Sequence, residues 1–191
     1  MLTDRFEEAL AFAAQIHQGH SRKRSQVPYL SHLLSVAALV LEDGGSEDEA
    51  IAALLHDAIE DQGDRNDLAE LRRRFGGRVA EIVDACSDTD LHPKPPWRGR
   101  KEAFIDRMRT APVGVLRVAC ADKLHNARST LADLRLEGSL AWDKFGAGRD
   151  EQLWYYGSLS ELFEQRMPGP LSAELARTVA EIRTADVHAG V

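Results

Sequence analysis

Ser46-Glu47-Asp48-Glu49-Ala50-Ile51-Ala52-Ala53-Leu54-Leu55-His56-Asp57-Ala58-Ile59-Glu60-Asp61-Gln62-Gly63 is the stretch that decides the fold. Ser46 and Glu49 form an S-x-x-E capping box, the signature of a helix start. Ile51, Leu54, Leu55, Ala58 and Ile59 then recur on one helical face, and Gly63 closes the run. A helix this apolar belongs in a core. Yet it carries His56-Asp57 near its end, where burial alone would select Leu or Ala. Glu60 and Asp61 stack one turn further along the same surface. Such a helix needs other helices around it and a partner for its charge.

The flanking segments supply those helices. Leu30, Leu33, Leu34, Ala37, Ala38 and Leu41 make a stripe that ends before Gly44-Gly45. Leu68, Leu71 and Phe75 mark a helix stopped at Gly76-Gly77, and Val79, Ile82, Val83 and Cys86 mark the next. The stretch from Ser87 to Gly99 holds Pro93, Pro95 and Pro96 and cannot be helical throughout. Helices are predicted to resume at about 100–110, 113–136, 147–165 and 171–184, with the last residues frayed. No segment alternates like a strand, and there is no repeat. The predicted fold class is all-α: one compact multi-helix bundle over residues 1–191, with its core at about 5–165 and a C-terminal helix at about 171–184.

Composition narrows the function. Of 191 residues, 43 % are hydrophobic and 29 % charged, the balance of a soluble globular domain. The formal charge of −7 argues against a nucleic-acid polymer as partner. No apolar run approaches the ~20 residues of a membrane span, and the N-terminus lacks the apolar core of a secretion signal. Cys86 and Cys120 sit among apolar neighbours and read as buried free thiols, so a reducing cytoplasm is the expected location. Nothing in the pattern specifies an oligomeric state. The charge is uneven, however. Arg22-Lys23-Arg24 form one basic island; Lys94, Arg98, Arg100 and Lys101 form another with no acid between them. Two such islands in an acidic chain suit a small polyanion, the alternative being two solvated loops.

Four side chains carry candidate metal chemistry: His32, the adjacent pair His56-Asp57, and Asp122. Asp122 follows the apolar run Val118-Ala119-Cys120-Ala121, where a carboxylate needs a strong partner such as a divalent cation. Two imidazoles with two carboxylates suit Mn²⁺, Fe²⁺ or Zn²⁺ and leave positions for water and a phosphate oxygen. Glu60 and Asp61 are placed to handle protons beside such an ion; without it they would read as a solvated helix end.

Three blocks stand in order: Arg22-Lys23…Pro28-Tyr29-Leu30-Ser31-His32, then Leu54-Leu55-His56-Asp57-Ala58-Ile59-Glu60-Asp61, then Ala121-Asp122-Lys123-Leu124-His125-Asn126. Together they resemble the HD superfamily. More narrowly, they are similar to the hydrolase domain of Rel/SpoT-type enzymes and to stand-alone small alarmone hydrolases. The resemblance implies an HD-domain helix bundle that uses Mn²⁺ to remove the 3′-pyrophosphate of guanosine tetra- or pentaphosphate, turning ppGpp into GDP and pyrophosphate. It implies that His32, His56, Asp57 and Asp122 hold the metal and that Glu60 and Asp61 are the catalytic acid pair. It also implies that Arg22 and Lys23 contact the nucleotide and that Asn126 bonds the sugar. Lys94 and Arg98 are expected to help carry substrate phosphates.

Two segments depart from the familiar alarmone hydrolases. Lys94-Pro95-Pro96-Trp97-Arg98 replaces their acidic, lysine-containing loop, and Phe145-Gly146-Ala147-Gly148-Arg149-Asp150…Leu153-Trp154-Tyr155-Tyr156 looks like the mark of a subgroup. These leave base specificity open. Another phosphorylated nucleotide, such as a deoxynucleotide or an NADPH-like dinucleotide, is the second enzymatic reading. A catalytically silent nucleotide-binding module is the third, against which the intact ligands and acid pair speak. Trp154, Tyr155 and Tyr156 are expected to pack in the core with one polar tip towards the pocket.

Overall fold

The computed structural model describes residues 1–23, 25–59, 68–88 and 93–188. Among these residues the chain forms α1 (Asp4–Ile16), α2 (Leu30–Glu42), α3 (Glu47–Leu55), α4 (Leu68–Phe75) and α5 (Gly77–Cys86). It continues with α6 (Trp97–Thr110), α7 (Val113–Glu137), a 3₁₀ segment (Gly138–Lys144), α8 (Arg149–Arg166) and α9 (Pro170–His188). No strand occurs among the described residues beyond one isolated bridge between Ser21 and Pro28. The all-α expectation holds. None of the described helices is long and apolar enough to cross a membrane.

The capping box forms as read: the Ser46 hydroxyl accepts from the Glu49 amide at 3.3 Å, and Glu49 Oε2 accepts from the Ser46 amide at 2.8 Å. A cap of this kind is worth about 1 kcal/mol. It anchors α3, whose residues from Ala50 to Leu55 are all fully buried. Around α3 pack α1, α2, α5 and α7, and the long α7 also lies against α8 and α9. Glu49 is buried as well; Arg117 on α7 bonds it at 2.9 Å and Asp43 at 2.9 Å, tying the α2–α3 corner to α7.

Four sequence expectations need correction. First, α3 stops at Leu55 and a turn at His56-Asp57 interrupts the run before Ala58 and Ile59 are helical again: His56 is its C-cap, with Nδ1 2.8 Å from the Ala53 carbonyl. Second, the buried face of α2 is His32, Leu33, Val36, Ala37, Leu39 and Val40, while Leu34 is exposed, as is Ala38. That helix is apolar almost all round, so periodicity alone does not choose its inward face. Third, α6 starts at Trp97, directly after Pro96, and α9 continues to His188. Fourth, α7 ends on Gly138 at φ 62, and an unanticipated 3₁₀ turn follows. Cys86 and Cys120 are free thiols, and burial pushes the Cys86 thiol up to about 12.

Candidate metal centre

Three helices bring four side chains to one point. His32 stands in the first turn of α2, His56 and Asp57 just past the end of α3, and Asp122 in the middle of α7. His56 Nε2 lies 3.0 Å from Asp57 Oδ2 and 3.6 Å from Asp122 Oδ1. His32 Nε2 lies 3.8 Å and 3.2 Å from the same two oxygens. The ligating atoms of His32, His56 and Asp57 all fall within 4.8 Å of one another, and Asp122 joins them from α7. The break after Leu55 explains how neighbours in sequence converge: residues inside a helix diverge by ~100°, but Asp57 is already in the turn.

The cluster is largely buried. His32 and His56 are 1 % and 2 % exposed and Asp122 7 %, whereas the Asp57 side chain keeps 21 %. His56 Nε2, despite its two close carboxylates, makes no hydrogen bond among the described residues. Its other nitrogen is oriented by the Ala53 carbonyl, which leaves Nε2 as the donor atom aimed into the cluster. A buried imidazole nitrogen without a hydrogen bond, facing two carboxylate oxygens and a second imidazole, fits a divalent cation.

The electrostatics point the same way. Burial opposes charge on His56, but Asp57 and Asp122 outweigh it and hold its pKa well above the usual imidazole range. Burial likewise works against both carboxylates. His56 nonetheless pulls Asp57 below its ordinary range, and Lys123, with the two imidazoles, pulls Asp122 well below it. His32 is lowered, because burial exceeds what Asp122 returns. Both carboxylates are thus held in their charged form, and they favour a cation beside them.

Each ligand candidate has an outer partner. Tyr29 donates its phenol to Asp57 Oδ2 at 2.5 Å, and His32 Nδ1 meets His125 Nδ1 at 2.8 Å. The Lys123 ammonium donates to Asp122 Oδ2 at 2.5 Å, and the Asn126 amide donates to Asp122 Oδ1 at 2.6 Å. Sequence reasoning assigned no role to Tyr29 or His125. The signal was available: Tyr29 precedes His32 by three positions and His125 follows Asp122 by three, the spacing of one helix face.

The first basic island meets the centre. A tight loop, with Gly19 at φ 80, the Ser21–Pro28 bridge and Arg22 N donating to Val27 O at 2.9 Å, folds Arg22 back over α2. Its guanidinium donates to Asn126 Oδ1 at 2.8 Å and lies 5.8 Å over the Tyr29 ring. Arg22 and Asn126 are thus brought together, and Asn126 is itself hydrogen-bonded to Asp122. Lys23 is exposed.

The second island is not brought to the ligands in the same way. Arg98 donates to Glu102 at 2.8 Å and Glu151 at 2.9 Å, with its guanidinium 3.3 Å above the Trp154 ring. Arg100 pairs with Asp88, and Lys101 reaches the same carboxylate at 3.1 Å. Lys94 is exposed. Tyr155 and Tyr156 are buried, and the Tyr156 hydroxyl lies 3.3 Å from that of Thr130 on α7. Glu60 and Asp61 lie outside the described residues, as does Arg24.

Three comparisons bear on this geometry. The family model described as HD domain matches residues 9–151. A mouse (Mus musculus) protein named guanosine-3′,5′-bis(diphosphate) 3′-pyrophosphohydrolase MESH1 is 31 % identical over 173 residues, 83 % of this chain and 93 % of that protein. A Haemophilus influenzae protein named guanosine-3′,5′-bis(diphosphate) 3′-pyrophosphohydrolase is 36 % identical over 129 residues, 64 % of this chain; the match spans only 18 % of that longer protein. Among solved structures, one from Listeria monocytogenes EGD-e superposes with a TM-score of 0.72 at 32 % identity, covering 80 % of this chain and 99 % of that one.

Proposed function

The chain belongs to the HD-domain family, and on that premise we propose that it is a metal-dependent hydrolase removing the 3′-pyrophosphate of guanosine tetra- or pentaphosphate. One observation carries the reading: each of two imidazole nitrogens lies 3.0–3.8 Å from each of two carboxylate oxygens, the four groups being supplied by three helix regions. The names of the mouse and Haemophilus relatives supply the substrate. In this reading His32, His56, Asp57 and Asp122 hold the ion. The mixed nitrogen and oxygen donors fit Mn²⁺. A divalent ion there supplies Lewis-acid polarisation of a phosphoryl oxygen and activation of water.

The protein's own groups do the rest. Arg22 presents a guanidinium for the nucleotide at the rim, where it can stack on a base or meet a phosphate. Asn126, between Arg22 and Asp122, is placed to bond the sugar, and Lys23 adds charge on the same loop. Lys94 and Arg98 contribute less, because Arg98 already has carboxylate partners. Glu60 and Asp61 take the proton from the attacking water and return one to the leaving 3′-oxygen. Water oxygen bonds to the 3′-phosphorus, the bond from that phosphorus to the 3′-oxygen breaks, and pyrophosphate leaves GDP from the tetraphosphate or GTP from the pentaphosphate. The free thiols fit a reducing cytoplasm.

A second reading, hydrolysis of another phosphorylated nucleotide, is favoured by the pairing of Arg98, Arg100 and Lys101 with the protein's own acids. Fewer cations then face the substrate than two separate diphosphates would use. The test is product analysis by anion-exchange chromatography with Mn²⁺-loaded protein. The expected result is ppGpp converted to GDP with intact pyrophosphate, and GTP and GDP untouched. Orthophosphate alone, or faster turnover of a nucleotide lacking a 3′-phosphate, overturns the first reading in favour of the second.

A further inference from the structure

Tyr29 is neither a ligand candidate nor an assigned substrate contact, yet it is held from several sides. Its hydroxyl donates to Asp57 Oδ2, the same oxygen that lies 3.0 Å from His56 Nε2 and 3.8 Å from His32 Nε2. Its ring stacks on buried His17 with centroids 5.1 Å apart and 27° between planes. It meets the His32 ring edge-on at 5.6 Å, and Arg22 lies over it. Its own amide donates to the His20 carbonyl at 2.9 Å, so the backbone is fixed as well.

Asp57 is the ligand candidate that most needs such support. His32 and Asp122 stand inside helices and are nearly sealed, and His56 is oriented by the Ala53 carbonyl. Asp57 lies beyond the last residue of α3 and keeps the largest exposure of the four. A carboxylate in a turn has rotamers that point to water, and one hydrogen bond from a rigid ring selects against them.

We propose that Tyr29 is a positioning residue: its phenol holds Asp57 Oδ2 towards the two imidazoles, so that the donor set is ordered for the ion. This rests on the metal reading given above. A ring at this place would pack equally well as phenylalanine, and the polar contact with Asp57 is made by the hydroxyl. Tyr29→Phe therefore removes the positioning bond and keeps the stack on His17 and the contact with Arg22.

The experiment measures Mn²⁺ affinity of the full chain from the electron paramagnetic resonance signal of free ion. It also measures the rise in melting temperature that Mn²⁺ causes, each variant against its own metal-free curve. Removing an outer-sphere partner typically weakens a site about 10- to 100-fold. Tyr29→Phe should raise the Kd by about 10-fold, at the lower end of that range, and shrink the Mn²⁺-induced rise. A Kd and a rise equal to wild type overturn the proposal and leave Tyr29 as a packing residue. His56→Ala separates the two levels. If it binds Mn²⁺ like wild type, the metal reading itself fails, and this inference with it. If it loses Mn²⁺ while Tyr29→Phe binds normally, only the role of Tyr29 falls.

Discussion

Arg22, in the loop between α1 and α2, touches a neutral amide and an aromatic ring, whereas Arg98, Arg100 and Lys101, at the start of α6, touch carboxylates. An amide oxygen and a ring orient a guanidinium without cancelling its charge; a carboxylate cancels it. The two islands therefore differ in the charge they have left to offer an anion. Within the second island there is a further gradation. The pairs of Arg98 are exposed, of a kind that contributes little and is screened by salt. Those of Arg100 and Lys101 with Asp88 are mostly buried, and breaking such a pair by removing one partner costs about 3–5 kcal/mol. A cation in a sequence counts towards recognition only after its partners are known.

The largest expected effect breaks the frame in which both islands are compared. Asp57→Ala should leave no stoichiometric Mn²⁺ by elemental analysis and should lower turnover by orders of magnitude. Retained ion with retained turnover would remove the centre to which either island could bring a substrate. Next in size, Asp88→Asn should strand Arg100 and Lys101 and destabilise the fold by about 3–5 kcal/mol, a fall of roughly 10 °C in melting temperature for a domain of this length. An unchanged melting curve would show that this acid does not anchor the second island. A lowered KM in the same variant would show instead that the released cations lie within reach of the nucleotide.

Arg22→Ala comes third. Loss of a charged hydrogen bond worth about 1.5–3 kcal/mol should raise KM by about 10-fold or more at low salt, with the fold intact by circular dichroism. Equal KM values for Arg22→Ala and wild type would take the first island out of the site. The smallest effect belongs to Arg98→Ala, whose KM should stay within about twofold of wild type. A shift as large as that for Arg22→Ala would mean that Arg98 leaves Glu102 and Glu151 when the nucleotide binds, and the contrast between the islands would disappear.

Much of the centre was legible because its chemistry conflicts with its surroundings. His56-Asp57 at the end of Ala50–Leu55, and Asp122 after Val118–Ala121, are polar groups in runs that burial would make apolar. The capping box at Ser46 and Glu49 fixed the start of α3 for the same local reason. The face of α2 was not legible, since Leu34 and Ala38 are as apolar as the Val36 and Val40 that point inward. The break after Leu55 was hidden as well, because the apolar stripe carries on through Ala58 and Ile59 and periodicity shows no interruption at His56. Nor could the sequence show that Asp88 takes up Arg100 and Lys101. That pairing spans a proline-rich stretch whose path no periodicity encodes. The expected role of Glu60 and Asp61 rests on their spacing and on the family resemblance, as they lie outside the described residues.

The placing of the ligand candidates at 32, 56–57 and 122 also bears on the time course of folding. No two of the three segments can meet at this centre until a long loop has closed, and α7 must dock on α2 and α3 before Asp122 faces His56. An ion bound there would join segments far apart in the chain, so its stabilisation is expected to fall mainly on the reverse reaction. In stopped-flow experiments Mn²⁺ should lengthen the lifetime of the native state and leave the refolding rate nearly as it was. The centre then acts as a latch on a closed door, with no part in closing it.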